Sequence, residues 1–512
     1  MSRRNGGIIG PTNTPVGGLF KGVAGGVWRM NDVLTFVSNN QWPSGPQSID
    51  NSCRFNSGSS DFLSGTFSNS GNRRTFTISF WIKRASIGSD ERIIEADTGT
   101  DGNNVNGIEF DTTSGSNRIR VIFYNDPTVN LNLKTNALFS DLSAWYHIVL
   151  AIDTTQSTSS DRAKLYVNGS QITSFETATY PSQNYDADWN VSGNNIRIGR
   201  RIDSSPEYLS AYLAETVFID GQQLDPTSFG EFDTTTGIWK PKKIGSFTSA
   251  GDNSFYLDFK DSSNVGNDAS GLSNNFTVNN LTSIDQSTDT CVENYATGNP
   301  LEKPIATGSY SNGNLTFQTS NSTWDSLIAT ISPTQGKWYF EAKPTTLSSN
   351  GDFIIGMVDR DKYPDWYANQ ESYKYIGYKG VCYIGSGSYF LDNSTPVTSL
   401  TTTSVNDIVG CAIDLDNNFA YFSINGTFLN SGVPTSGATG TGGQNISTVV
   451  QSGSPKGFGV SSRNSSVIQC NFGNPSFSIS SGNSDANGFG NFEYSVPSGY
   501  YALNTSNLNT YG

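Results

Sequence analysis

Residues 75–83 read TFTISFWIK. In an extended chain successive side chains point to opposite faces, so Phe76, Ile78, Phe80 and Ile82 share one face while Thr75, Thr77, Ser79 and Lys83 take the other. That alternation marks a strand with one face on a core. Trp81 breaks the polar side, which predicts that this face is partly covered too. Further along, NRIRVIFY (117–124) repeats the pattern, with Ile119, Val121 and Phe123 opposite Arg118 and Arg120. WYHIVLAID (145–153) is a more continuous apolar strand, and YLAETVFIDG (212–221) is another. AKLYVNGSQI (163–172) carries Asn168-Gly169 between two strand-like runs, a strong hairpin signal. In LDPTSFGEF (224–232), Asp225 as an N-cap and Pro226 at the first helical position predict one short helix. Strands separated by polar turns, with only scraps of helix, predict a β-sandwich over residues 46–245.

The same reading divides the rest of the chain. SFYLDF (254–259) is a strand, and the Ser/Asn/Asp-rich remainder of 246–305 is a connector, either disordered or loop-rich and ordered. Residues 306–512 read as a second sandwich, through the short strands GKWYFEAKP, DFIIGMVD, KYIGY, VCYIG, DIVGCAIDLD, FAYFSING, KGFGVSS and VIQCNFG. Asn425-Gly426 repeats the hairpin logic, and the aromatic C-terminal segment 487–508 is expected to pack on this sandwich. Residues 1–45 are Gly/Pro-punctuated and too short for a core, yet Ile8, Ile9 and Trp28 are too apolar for a solvated linker. They predict either a tail packed on the neighbouring domain or an extended arm docked on another subunit. The fold class is therefore all-β: two tandem antiparallel β-sandwiches with an extended N-terminal arm.

Composition narrows the function. Only 15% of the 512 residues are charged, against about a quarter in ordinary domains, while 12% are aromatic. Such a chain can bury enough apolar surface to fold. The net charge of −14, with no basic cluster beyond a local pair, argues against nucleic acid or an anionic membrane as partner. No apolar run approaches the length of a membrane-spanning helix, so no membrane insertion is expected, and the N-terminus lacks the apolar core of a secretory signal. Cys53, Cys291, Cys382, Cys411 and Cys470 are widely spaced, with no CxxC, which suits reduced structural thiols and no zinc site.

Two families come into view at these motifs. Residues of about 50–240 resemble the laminin-G/concanavalin-A-like lectin superfamily, through FTISFWIK, AWYHIVLAID, KLYVNGSQI, IRIGRR and YLAETVFIDG in that order. Residues of about 320–480 resemble a SPRY domain, through GKWYFEAKP, FIIGMVDRD, YKYIGY, DIVGCAIDLDNNFAYFSINGT and CNFG. The first sandwich is thus expected to be a concanavalin-A-like jelly roll and the second SPRY-like. The layout as a whole also resembles structural proteins of marine tailed phages, through GIIGPTNTP, GVWRMNDV, QWP, ENYATGNPLEK and PSGYYALNT. That resemblance implies a virion appendage such as a tail fibre, anchored to other virion proteins by its N-terminal arm through Ile8, Ile9 and Trp28. It implies recognition of a host-surface glycan or protein, and a homo-oligomer, trimers being common among phage fibres. Capsid decoration without a ligand, and a glycan depolymerase, are the alternatives.

No catalytic residue is assigned. Concanavalin-like glucanases carry E-x-D-x-x-E, with one carboxylate as nucleophile and another as acid. The nearest match, Glu95-Ala96-Asp97-Thr98-Gly99-Thr100, replaces the third acid by threonine. The single histidine, His147, lies among the residues of a strand and reads as structural, which removes triads and His-cluster metal sites. No cofactor is expected. Calcium remains open at two acidic loops, Asp97 with Asp101 and Asp186 with Asp188. The candidate ligand-binding residues are aromatics set among polar neighbours. These are Tyr363, Trp366, Tyr367 and Tyr373 in RDKYPDWYANQESYKY, and Tyr185 and Trp189, with Tyr180 nearby, in TYPSQNYDADWN. The competing reading is that these rings pack under their own loops.

Overall fold

A computed structural model describes residues 49–97, 104–115, 117–203, 207–234, 236–245, 247, 249–302, 308–320, 322–361 and 375–512. Ile8, Ile9, Trp28, Asp101, Tyr363, Trp366, Tyr367 and Tyr373 lie outside the described residues.

The N-terminal half is a sandwich of two antiparallel sheets. Among the described residues, the first sheet runs in the order Ser170–Gln171, Ala163–Val167, Trp145–Asp153, Thr75–Arg84, Ala211–Asp220, Ser52–Phe55, Gln286–Ser287, with Phe255–Leu257 also paired to Ala211–Asp220. The second runs Phe175–Thr179, Thr128–Thr135, Arg118–Asn125, Asn104–Asp111, Glu91–Asp97, Asn195–Ile198, Phe62–Thr66, Thr277–Asn279. Phe76, Ile78, Phe80 and Ile82 face Ile108, Phe110, Val121, Phe123 and Leu131 in one core. The polar side of 75–83 is buried as well. Trp81 joins Ile49, Ala214 and Trp239 in a second cluster, so the covering of that face is more complete than the alternation alone predicts.

Asn168 and Gly169 both have positive φ, 47° and 78°, which fits the primed turn that closes Ala163–Val167 onto Ser170–Gln171. The Asp225 carboxylate accepts Thr227 N–H at 2.8 Å, but the helix it caps is a single 3-10 turn, Pro226–Ser228, before the chain turns extended at Gly230.

Residues 249–302 differ most from a simple connector. Three of their strands enter the first sandwich: Phe255–Leu257 on its first sheet, Thr277–Asn279 on an edge of the second, and Gln286–Ser287 beside Ser52–Phe55. Asx turns at Asp258, Asp261 and Asp268 order the Ser/Asn/Asp-rich stretch by side-chain acceptance of nearby backbone N–H groups. The first sandwich therefore runs past residue 245 to about 289.

The second sandwich pairs Ser309–Ser311, Thr316–Gln318, Val467–Asn471, Lys337–Thr346, Val409–Asp414, Phe419–Ile424, Thr427–Phe428 in one sheet. It faces Asp325–Ile328, Lys456–Ser462, Phe353–Asp359, Gly380–Ile384, Ser388–Leu391, Ser394–Val397. Cys411 and Cys470 are buried between the sheets, and all five cysteines are free. KYIGY is not a strand over its described residues: Tyr378 N bonds Tyr375 O at 2.9 Å in a turn, Lys379 takes φ 73°, and the strand begins at Gly380. The C-terminal segment packs on the outside of the first of these sheets through Phe492, Tyr500 and Ala502 and ends in the helix Thr505–Tyr511, capped by Asn504. No helix among the described residues is long and apolar enough to cross a membrane.

Candidate functional site

The second sheet of the first sandwich buries one face in the core and turns a charged face outward. Strand register assembles that face. Ser64, Arg197, Glu95, Gly107, Ile122 and Asn132 are successive cross-strand neighbours. A second row runs Arg92, Glu109, Arg120, Lys134. Opposite charges face each other along Arg92, Glu109 and Arg120, and Asp111 pairs with both Arg120 and Lys134, at 3.5 and 3.1 Å, where two cations face.

Arg92 is the hub and is only 2% exposed. Its Nε lies 3.0 Å from Glu95 Oε2, and its Nη2 lies 2.6 Å from Glu109 Oε2 and 3.4 Å from Glu207 Oε2. Gly107 makes room for it: a Cβ there would sit 3.2 Å from Arg92 Nη1 and 2.6 Å from Ile94 O. Arg201 ties Glu207 and Asp203 at 2.8 Å each, and Arg120 reaches Glu109 at 3.1 Å. Burial pushes the Glu95 carboxyl up to about 7; Arg92 works against the rise and Asp97 adds to it. Beside the hub opens a pocket of about 220 Å³ lined by Asp90, Arg92, Val105, Glu109, Arg120, Ile122, Tyr124, Arg201 and Glu207. Arg92 Nη1 has no hydrogen-bond acceptor among the described residues. A buried guanidinium nitrogen without an acceptor is costly, and the same side chain lines a pocket that an oxygen-rich ligand can enter. Glu95 and Asp97, each 1% exposed, do not line that pocket.

The sequence pointed to Glu95 and Asp97 but not to this cluster. Its members come from three neighbouring strands and from Arg201, Asp203 and Glu207, and only the fold brings them together. The structure places both acids within Glu91–Asp97, on its outward face.

His147 is buried between Trp81 and Trp239, with ring centroids 4.7 and 5.9 Å away. Its Nε2 lies 2.9 Å from Ser79 Oγ, a geometry that superficially resembles a nucleophile and its base. The tautomer argues otherwise. Trp239 Nε1–H can only donate, and it donates to His147 Nδ1 at 3.1 Å. Nδ1 is therefore the acceptor, the ring proton sits on Nε2, and it is His147 that donates to Ser79. Burial holds the imidazole at about 3, so the ring stays neutral. This pair is structural.

Trp189 is a correction to the ligand-binding set. It is fully buried and stacks on Phe76 and Phe218, at 6.0 and 5.5 Å between centroids. It offers no face to a ligand, because its ring is part of the core between the two sheets. Tyr185 and Tyr180 are half-buried and pack against the same core. Burial, with Asp188 adding to it, pushes the Tyr185 hydroxyl up to about 12. Asp186 pairs with Arg74 at 2.8 Å. Asp188 accepts from Arg73 at 3.4 Å and from the amides of Asn106 and Asn125 at 3.2 and 2.8 Å. These carboxylates are committed to neighbours, and no group of three or more His, Cys, Asp or Glu among the described residues is placed to hold a metal.

The chain is similar to the SPRY domain of human HERC1 (12% identity, 34% of this chain and 96% of that one, TM-score 0.26). It is similar to the heptameric SAP-like pentraxin of Limulus polyphemus (15%, 41% and 94%, 0.28). It is also similar to a putative carbohydrate binding protein from Bacteroides ovatus (15%, 46% and 62%, 0.29). No curated protein matches the chain in sequence. Residues 56–223 match the concanavalin A-like lectin/glucanases superfamily and residues 337–459 match the SPRY domain, so the chain carries one lectin-like and one SPRY sandwich in tandem.

Proposed function

We propose that this chain is a non-enzymatic recognition protein of a phage virion appendage, which binds a host-surface glycan or protein. Lectin-like and SPRY sandwiches support binding of carbohydrate or protein as the general role. The observation that carries the choice of site is Arg92 Nη1, buried without an acceptor among the described residues, on a side chain that lines a pocket with Arg120 and Tyr124. A hydroxyl or carbonyl oxygen of a sugar satisfies that donor, and the Tyr124 ring supplies an apolar face. The virion assignment rests on the likeness of the sequence layout to phage structural proteins. In this reading residues 1–45 dock the chain on the particle.

The test is Arg120→Ala with Tyr124→Ala in the full chain, measured as melting temperature and as binding to host cells. Lost binding at unchanged melting temperature supports the site; unchanged binding moves recognition elsewhere. Deleting residues 1–45 should leave folded protein that fails to enter particles, and normal incorporation would refute the docking role. A depolymerase is the second reading, favoured by a Glu95 carboxyl near 7 with Asp97 and Glu109 close by. The ion pair to Arg92 and the near-complete burial of Glu95 count against it.

A further inference from the structure

At one end of the second sandwich two pockets adjoin, sharing Gln335 and Asp416. The larger, about 530 Å³, is lined by Thr334, Leu415, Asn418, Ser447, Val450 and Gln451 among others. The smaller, about 390 Å³, includes Lys337, Tyr501 and Tyr511. We propose that this groove is a second binding site of the chain, taking a neutral oligosaccharide. It stands apart from the charged face of the first sandwich and does not depend on that site.

The walls are held from behind. Lys456 is 1% exposed and donates to Gln451 O at 2.9 Å and to Ser454 Oγ at 2.8 Å. It also pairs with Asp359 Oδ2 at 3.3 Å, which in turn accepts Gln451 N–H and Ser454 O–H at 2.6 Å each. This buried ion pair fixes the 451–455 wall. On the facing wall Trp338 Nε1 donates to Gln335 O at 2.7 Å, and Asp416 Oδ1 accepts Gly336 N–H at 2.9 Å. Walls already ordered by the fold cost little to order on binding.

The lining selects the chemistry. Gln335, Asp416, Asn418, Ser447 and Gln451 offer the amide, carboxylate and hydroxyl groups that pair with sugar hydroxyls, and Leu415 and Val450 supply apolar surface. Tyr501 and Tyr511 stack with centroids 3.8 Å apart and planes within 8°, which forms a rigid aromatic wall for a sugar's C–H face. The cations nearby are committed: Lys337 Nζ sits 2.9 Å from Asp414 and Lys456 is paired with Asp359. With Asp416 on the rim, an anionic sugar meets no uncommitted positive charge among the described lining residues, so the groove favours uncharged hexose and N-acetylhexosamine units.

The experiment screens the full chain on an array of neutral and of sialylated or uronate-containing glycans. The variants are Gln335→Ala with Gln451→Ala, whose side chains are exposed, and separately Tyr511→Ala. Binding to a neutral glycan should weaken about tenfold or more in the double variant at unchanged melting temperature. It should persist in Arg120→Ala/Tyr124→Ala, which alters only the first sandwich. Tyr511→Ala reports on the aromatic wall where its melting temperature holds. Absence of neutral-glycan binding, binding confined to anionic glycans, or full binding in the Gln335/Gln451 variant would each overturn the proposal.

Discussion

Lys83 Nζ lies 2.7 Å from Asp289 Oδ2, and both side chains are almost wholly excluded from solvent. Lys83 belongs to a central strand of the first sandwich, whereas Asp289 follows the last strand that the connector contributes. The same ammonium donates to Asn294 Oδ1 at 2.8 Å and Tyr295 O at 3.1 Å, and Asp289 accepts from Trp145 Nε1 at 3.1 Å. Further bonds cross directly between the halves: Tyr212 O–H to Gly313 O at 2.9 Å, and Arg54 Nη1 to Pro475 O at 3.1 Å. The sandwiches are joined by a buried polar seam, and this sets their relative placement.

Breaking one partner of that pair leaves a buried charge. Lys83→Met is expected to cost about 3–5 kcal/mol, because Asp289 stays behind without its cation. Lys83→Met with Asp289→Leu should recover most of it. Calorimetry should show one transition for the parent chain and a split or broadened one for Lys83→Met. A single transition at unchanged temperature would mean that the seam contributes no coupling.

Trp189→Ala removes a ring packed against both Phe76 and Phe218, and a loss of about 3–5 kcal/mol is expected from the cavity. Denaturant unfolding measures the loss. Glycan binding of the fraction that remains folded should be unchanged. Normal stability with abolished binding would return Trp189 to the ligand-facing set.

The contrast between Phe76 and Trp189 shows what a sequence can and cannot disclose. Phe76 lies in a period-2 run, and alternation alone assigns it to the core. Trp189 lies in an aperiodic loop with Asn and Asp on both sides, where polar composition suggests a surface. Its burial follows from contacts with Phe76 and Phe218, which are far away in the sequence. Arg92 and Glu207 have the same character: 115 positions apart, they meet because the chain returns across the sheet. Asp225 shows the intermediate case, since its capping bond was legible but the length of the helix after it was not. The Asn-Gly turns were fully legible, because positive φ at both central residues is a local requirement.

Glu215 sits at a bulge between Ala214 and Val217, and its carboxylate accepts Tyr256 O–H at 2.7 Å. Burial pushes it up to about 7, with Asp258 adding to the rise and the Tyr256 bond and Lys260 opposing it. An unfolded glutamate titrates near 4.3, so the native state holds this proton over a range in which the unfolded chain has lost it. Folding is therefore favoured at low pH, and that contribution disappears as pH rises from about 4.3 through about 7. Glu215→Gln keeps an acceptor for Tyr256 and has no proton to lose. The variant should match the parent near pH 4 and exceed it near pH 8, by on the order of 1–3 kcal/mol. Melting curves at the two pH values decide it, and equal stabilities at both would place the Glu215 carboxyl near its ordinary range.

Glu95→Gln separates recognition from hydrolysis. A retaining glycosidase needs two carboxyl groups about 5–5.5 Å apart, one ionised and one protonated, with the glycosidic oxygen between them. Glu95, at about 7, has the titration of an acid, and Asp97 or Glu109 is at hand as its partner. Yet Arg92 contacts both Glu95 and Glu109, and the pocket meets Arg92 and Glu109 without reaching Glu95. A substrate would have to displace the ion pair before meeting the acid. Glu95→Gln removes that acid and retains an oxygen acceptor for Arg92, so the fold and the pocket should survive. The expected outcome is unchanged adsorption to host cells for Glu95→Gln and for Asp97→Asn, and no release of reducing ends from purified host glycan by either variant or by the parent chain. Release of reducing ends by the parent that either substitution abolishes would make the charged face an active site and replace the recognition reading with a depolymerase.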